Sequence, residues 1–496
     1  MRFERLIQSY LKTDNHYSNL FETVWLWSEF PYRRGFGGGD TGIDIVALTK
    51  NGEYWAVQCK CYAKDTEITK KTVDSFLATS SRSFATNADL ITQFSQRLWV
   101  STSDCWGHNA REVFENQVPP VTILHQANLE ASSVDWDKLE NGIHGAKARK
   151  PKKELKEHQK YAVKKTHEYF LTESRGKLIM ACGTGKTYTS LKIAETETQN
   201  RGFILVLVPS IALVGQTFRE WVGESEKPIY SVCICSDPKV SVKRTRNHDL
   251  DMTRVVDLGV PASTNADVIF RRLKEANTAG MTVVFSTYQS IGIVAEVQKK
   301  LKKEFDLIIC DEAHRTTGIT LAGDDESAFV KVHDNSFIAS KKRMYMTATP
   351  RLYSDSSKKK AEEHDAILCS MDNEEFYGKE IYRLGFSSAV TKGLLTDYKV
   401  LILTLSERDL SPSIRRMIFT KEKTVNIADI PKLVGCINAL SKQMSGNASK
   451  ISEIDPVPMK RAGRILPDNC NKQANIQLFQ RNIYKIHRRS VQRNAG

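Results

Sequence analysis

No apolar run in this chain of 496 residues approaches the ~18 residues that cross a bilayer. Met1-Arg-Phe-Glu-Arg5 has no apolar core behind it, so no export leader is read there. The ten cysteines include no Cys-x-x-Cys pair, and most sit inside apolar runs, which argues against a zinc framework or a disulfide scaffold. No internal repeat is found. Acidic charge is also in deficit: 72 Lys and Arg against 58 Asp and Glu leave a formal net charge of +14. A surplus of that sign suits a polyanionic partner without choosing DNA over RNA. What remains is a cytoplasmic protein without a membrane partner. Its hydrophobic content of 41% is sufficient for real cores, and its length fits about three domains.

The most informative stretch is Ala181-Cys-Gly-Thr-Gly-Lys-Thr187, directly after the apolar run Leu178-Ile179-Met180. Glycines let backbone N–H groups curl around phosphates. Gly183, Thr184 and Gly185 would form that cradle, Lys186 would reach the β/γ-phosphates of ATP, and the Thr187 hydroxyl would sit on Mg²⁺. Met180 stands where the full pattern has its first glycine. A second apolar run, Phe305 to Cys310, ends in Asp311-Glu312-Ala313-His314. A carboxylate at the end of a buried parallel strand lies beside the phosphate loop, so Asp311 would hold Mg²⁺ and Glu312 would polarise the attacking water. Three further strands are read at Ile204–Val208, Thr282–Phe285 and Arg343–Met346. The last two end in Ser286-Thr287-Tyr288-Gln289-Ser290 and Thr347-Ala348-Thr349-Pro350. Ser286, Thr287, Gln289, Thr347 and Thr349 suit phosphate-backbone contacts or the relay of nucleotide state. Gln159 lies upstream, where its amide would read adenine.

In these four ordered motifs the chain resembles superfamily-two helicases and translocases. MACGTGKT is similar to their motif I, DEAH to motif II, TATP to motif III and Gln159 to their Q motif. The resemblance covers roughly residues 150–400 and implies RecA-like lobes that bind ATP in a cleft and move along nucleic acid.

Residues 1–140 contain no part of a motor. Asn51-Gly52 between two alternating runs predicts a hairpin of Ile45–Leu48 with Tyr54–Lys60. The side-chain period of two puts Gln58 and Lys60 on one face, next to Asp44, with Cys59 and Cys61 on the other. Asp44 and the Gln58 carbonyl would hold a hard cation such as Mg²⁺, and Lys60 would orient water or stabilise charge on a phosphate. The segment resembles the Mrr-type branch of PD-(D/E)xK nucleases. An acid is commoner where Gln58 stands, and Asp40 is a candidate for the missing carboxylate.

From Arg351 through Gly393-Leu-Leu-Thr-Asp-Tyr-Lys-Val400 the chain resembles the nuclease–translocase part of single-chain type ISP restriction-modification enzymes. The resemblance runs to about residue 461. It implies double-stranded DNA as partner, with a methyltransferase and specificity polypeptide to complete the system. Beyond it, residues 460–496 carry nine Lys or Arg and one acid, and no Gln-x-x-Gly-Arg-x-x-Arg arginine-finger motif is present. About 96 residues follow Val400, short of a second lobe, so a truncated or frameshifted chain with an impaired motor is the expectation. The alternative is a non-catalytic remnant or subunit that needs a partner chain. The fold expected is α/β, organised as a PD-(D/E)xK nuclease over 1–140, a basic linker over 141–157, a RecA-like lobe over 158–395, and an incomplete second lobe with a basic, disordered tail over 396–496.

Overall fold

The computed structural model describes residues 3–36, 42–63, 65–86, 90–107, 110–236, 254–276, 279–320, 327–357 and 366–397. Asp40 and the expected second lobe, apart from Thr396 and Asp397, lie outside the described residues.

The amino-terminal part is a five-stranded sheet in the order β1-β2-β3-β4-β5, with β1 Phe21–Leu26, β2 Ile45–Thr49, β3 Tyr54–Lys60, β4 Phe94–Ser101 and β5 Val121–His125. β1 to β3 pair antiparallel, whereas β4 and β5 join β3 in parallel. The β2–β3 turn closes with Gly52 N–H on the Thr49 carbonyl at 2.9 Å. Gly52 has φ +82°, a left-handed conformation that glycine adopts without strain, and this fixes the register Ile45↔Val57. Alternation then loads both faces. Ile45, Val57 and Cys59 face α1 (Phe3–Thr13), whereas Val46, Ala56 and Trp99 face α2 (Lys70–Ser80).

The second part is a seven-stranded, wholly parallel sheet. Its strands are β6 Arg175–Met180, β7 Phe203–Val208, β8 Tyr230–Ile234, β9 Thr282–Thr287, β10 Phe305–Cys310, β11 Ser340–Thr347 and β12 Lys379–Leu384, in the order β8-β9-β7-β10-β11-β6-β12. Phe-Ile-Leu-Val-Leu-Val in β7 is buried at every position because helices cover both faces. Ile204 and Val206 pack with Phe218 and Trp221 of α5 (Ile211–Glu224), while Leu205 and Leu207 pack with Val294 and Val297 of α6 (Ile291–Leu301). The remaining helices that matter here are α3 (Glu157–Tyr169) and α4 (Lys186–Thr198).

The two sheets meet in one compact unit. Tyr17 O–H donates to the Gly259 carbonyl at 2.8 Å, Asn15 Nδ2 to the Gly223 carbonyl at 3.0 Å, and the His16 ring stands edge-on to Phe218. The basic stretch before α3 lies against α5: Lys153 N–H donates to Glu224 Oε2 at 2.8 Å and Lys153 Nζ to Glu220 at 2.9 Å, while Lys152 donates to the Ser225 carbonyl. Among the described residues no helix is long and apolar enough to cross a membrane.

Candidate functional site

Parallel pairing brings the carboxyl ends of β6, β7, β9, β10 and β11 to one edge of the second sheet, where the chain places its polar motifs. β6 runs into the loop 181–185, and α4 starts at Lys186. Gly183 and Gly185 stand at φ +82° and +84°, so the loop curls at a helix amino terminus, the geometry that takes phosphate. A Cβ on Gly185 would come within 2.5 Å of Gln159 Nε2.

Gln159 sits in the first turn of α3 with both ends of its amide engaged. Its Oε1 accepts from Lys156 N–H at 2.9 Å and its Nε2 donates to the Gly185 carbonyl at 3.3 Å. His158, which has no role in the sequence reading, donates from Nε2 to the Thr184 carbonyl at 2.9 Å. The amino terminus of α3 therefore clamps the phosphate loop from behind. Thr184 Oγ1 turns inward to the Ala181 carbonyl at 2.7 Å.

β10 and β6 are separated by β11, roughly 10 Å apart at ordinary strand spacing. Lys186 spans that gap: Nζ donates to Glu312 Oε1 at 3.0 Å. Glu312 stands at φ +47°, a left-handed conformation that costs a non-glycine residue ~1–2 kcal/mol. A His314 hydrogen bond and the Lys186 charge outweigh burial and hold the Glu312 carboxyl down at about 2. Burial pushes the neighbouring Asp311 up to about 6, against the opposing Lys186 charge. His314 Nδ1 lies 3.4 Å from Glu312 Oε2 and 3.0 Å from Thr347 Oγ1, and Thr349 N–H donates to that hydroxyl at 3.2 Å. The acidic turn and the Thr-Ala-Thr segment are thus physically linked. Ser286 and Thr287 hydroxyls are buried and bonded to the Ile234 carbonyl and Ser290, which leaves Gln289 and Thr349 as the exposed members of the five expected coupling residues. Thr187, the second residue of α4, is half-buried. With a cradle at positive φ, a lysine at a helix start and oxygen donors at Thr187 and Asp311, the residues fit Mg²⁺-ATP.

In the first sheet, Asp44 precedes β2 opposite Gln58. Asp44 Oδ2 accepts from Cys59 N–H at 2.7 Å and from the Gln58 side chain. Gln58 is buried and Lys60, two residues on along the same strand face, is half-buried. Cys59 reports on the surrounding charge: burial pushes its thiol well up, Asp44 and Glu4 push the same way, and Lys60 opposes them. Cys59 faces α1, the opposite side of β3 from Gln58 and Lys60. Among the described residues no group of three His, Cys, Asp or Glu is placed to hold a metal ion. Gln58 meets Asp44 through its amide N–H, so the contact presents Asp44 as the oxygen ligand, and the Gln58 oxygen would join it only with the amide turned end for end.

A family described as restriction endonuclease matches residues 12–146, and one described as the res subunit of type III restriction enzymes matches residues 152–352. A probable helicase of African swine fever virus is 25% identical over 283 residues, 56% of this chain and 26% of that protein. The EcoAI endonuclease subunit of a type I restriction enzyme from Escherichia coli is 25% identical over 248 residues, 49% of this chain and 23% of its relative. Among solved structures, the ATP-dependent type ISP restriction-modification enzyme LlaBIII bound to DNA matches with a TM-score of 0.72 at 35% identity, over 93% of this chain and 28% of that one. The chain spans about a quarter of the length of these relatives.

Proposed function

The chain carries a restriction endonuclease domain followed by a superfamily-two helicase lobe, similar to the corresponding part of type ISP restriction-modification enzymes, and from that premise we propose that it binds duplex DNA in the cytoplasm, hydrolyses ATP to move on it, and cuts it. The observation that carries the motor half is the convergence of Lys186 and Glu312 across the β11 strand. Lys186 Nζ and the N–H groups of the 183–187 loop bind and orient the triphosphate. Glu312, ionised at neutral pH because His314 and Lys186 hold its carboxyl low, orients the attacking water and accepts its proton. His314 and Thr347 pass the position of the acidic turn to the Thr349 segment. Thr187 and Asp311 would hold Mg²⁺, which supplies charge neutralisation at the phosphates when bound.

In the nuclease half, Asp44 and the Gln58 amide oxygen would hold Mg²⁺, with Asp40 as a further carboxylate. Lys60 stabilises negative charge at the scissile phosphate or orients the water. The test is a paired one on purified protein with duplex DNA. Lys186→Ala is expected to lower DNA-stimulated phosphate release by about 100-fold or more, and Asp44→Asn to abolish Mg²⁺-dependent nicking while phosphate release continues. Phosphate release that survives Lys186→Ala, or nicking that survives Asp44→Asn, refutes the corresponding half.

A further inference from the structure

Behind the acidic turn lies a buried chain of hydrogen bonds that the hydrolysis scheme leaves unused. His333, at the end of the short turn Lys331–His333, is buried, as are Thr316, Tyr345 and Tyr377. His333 Nε2 lies 3.1 Å from the Thr316 carbonyl and Nδ1 2.9 Å from the Tyr345 hydroxyl. A carbonyl only accepts, so Nε2 carries the proton, and in a neutral ring Nδ1 then accepts from Tyr345 O–H. Burial pushes the His333 pKa down to about 4, with the Arg343 and Arg175 charges acting in the same direction, so the ring is neutral at working pH. Thr316 Oγ1 donates to the Ala313 carbonyl at 2.8 Å, which obliges Tyr377 O–H to donate to Thr316 at 3.0 Å. At the near end Tyr288 O–H donates to the Asp311 carbonyl at 2.8 Å.

Side chains therefore hold three carbonyls of the Asp311–Thr316 turn, at both ends and in the middle. The turn is tied to β11 by two rungs. Tyr345 and Thr347 are two residues apart on that strand and share a face. Thr347 meets His314 and Tyr345 meets His333, which in turn holds Thr316. The left-handed backbone at Glu312 is a conformation that its own residue disfavours, so it depends on such outside support.

We propose that His333 is a positioning residue for ATP hydrolysis: through the Thr316 carbonyl and the Tyr345 hydroxyl it holds the left-handed turn on which Glu312 meets Lys186 and His314 meets Thr347. This rests on the ATPase reading of the lobe. His333 touches neither nucleotide-binding loop nor acidic side chain and acts only through the turn.

The experiment compares His333→Ala with His333→Gln, whose amide N–H replaces the donor to Thr316. His333→Ala is expected to lower kcat about 10- to 100-fold, with KM for ATP within about threefold. His333→Gln is expected to recover most of that loss. Amide hydrogen exchange supplies a readout independent of turnover. Exchange over residues 311–317 is expected to rise in His333→Ala while the 181–187 loop stays as protected as in the parent. Unchanged kcat, a Gln variant no better than Ala, or exchange that rises equally over the whole lobe overturns the proposal. If the parent binds ATP and does not hydrolyse it, the ATPase reading falls, and the exchange comparison alone decides whether His333 holds the turn.

Discussion

Asp257 sits on the seam between the two sheets and supports a quantitative prediction. It accepts from His125 Nε2 at 3.1 Å and from Arg254 N–H at 3.0 Å, and it pairs with Arg111. His125 is also hydrogen-bonded to Asp104 through Nδ1. A ring that donates to two carboxylates carries both protons, so it is an imidazolium. Burial opposes that charge, and the bonds and charges of Asp257 and Asp104 outweigh it, so the His125 pKa lies above 6.5. Burial likewise opposes ionised Asp257, but His125, the Arg254 amide and Arg111 bring its pKa below 3.8. Asp257→Ala leaves His125, Arg111 and the Arg254 N–H without this acceptor. Breaking a buried charge pair costs roughly 3–5 kcal/mol. The Arg111 side chain is 33% exposed, and solvent screening of that partner brings the expected loss to about 2–3 kcal/mol near pH 6. The signs differ between the partners. His125, with its pKa raised, stabilises below 6.5 and loses its contribution as pH rises through the raised value. Asp257, with its pKa lowered, stabilises above 3.8 and loses its contribution as pH falls through the lowered value. Urea unfolding followed by tryptophan fluorescence at about pH 6 and about pH 8.5 checks this. The variant's deficit should be smaller at the higher pH as the His125 share is lost. A deficit under about 0.5 kcal/mol at pH 6, or one indifferent to pH, refutes the reasoning.

Other outcomes follow from the same geometry. Gly185→Ala introduces a Cβ at φ +84° against Gln159 Nε2; isothermal calorimetry should show ATP affinity down by about tenfold or more, from strain of ~1–2 kcal/mol in the loop. Lys153→Ala should cost less than about 1 kcal/mol in thermal unfolding, because its pairs with Glu220 and Glu224 are half-exposed. DNA affinity at fixed salt should barely change in that variant, since the lysine is engaged by α5. Asp40→Ala should weaken Mg²⁺-dependent nicking by about tenfold or more; activity equal to the parent's removes Asp40 from the site.

Local chemistry made much of this architecture readable. The hairpin follows from Asn51-Gly52 between alternating runs, and Asp44 meets Gln58 because the period of two and the turn leave one register. The buried strands of the second sheet show as short Val/Ile/Leu runs because both of their faces are covered. β12 did not show: Lys379-Glu-Ile-Tyr-Arg-Leu384 alternates weakly, being an edge strand whose outward residues stay wet. The pairing of Lys186 with Glu312, the hold of α3 on the phosphate loop and the His333 network join residues far apart in sequence, and no local pattern encodes them. Lys152 and Lys153 read as part of a basic linker for the same reason, since their acceptors on α5 and at Ser225 are some seventy residues away.

The placement of β6 bears on synthesis of the chain. The strand that carries the phosphate loop pairs only with β11 and β12, both made later, and β12 ends at Leu384. β7, in contrast, pairs with β9 and β10. At 5–20 residues per second, roughly 200 residues of further translation take about 10–40 s. Until β11 is made β6 has two open edges, and until β12 follows it has one, beside an apolar Leu-Ile-Met end, the combination that invites pairing with another chain. The strand before the glycine loop is thus the last of the central strands to be enclosed, and a nascent chain is most exposed to aggregation just where the finished protein carries the loop 181–185.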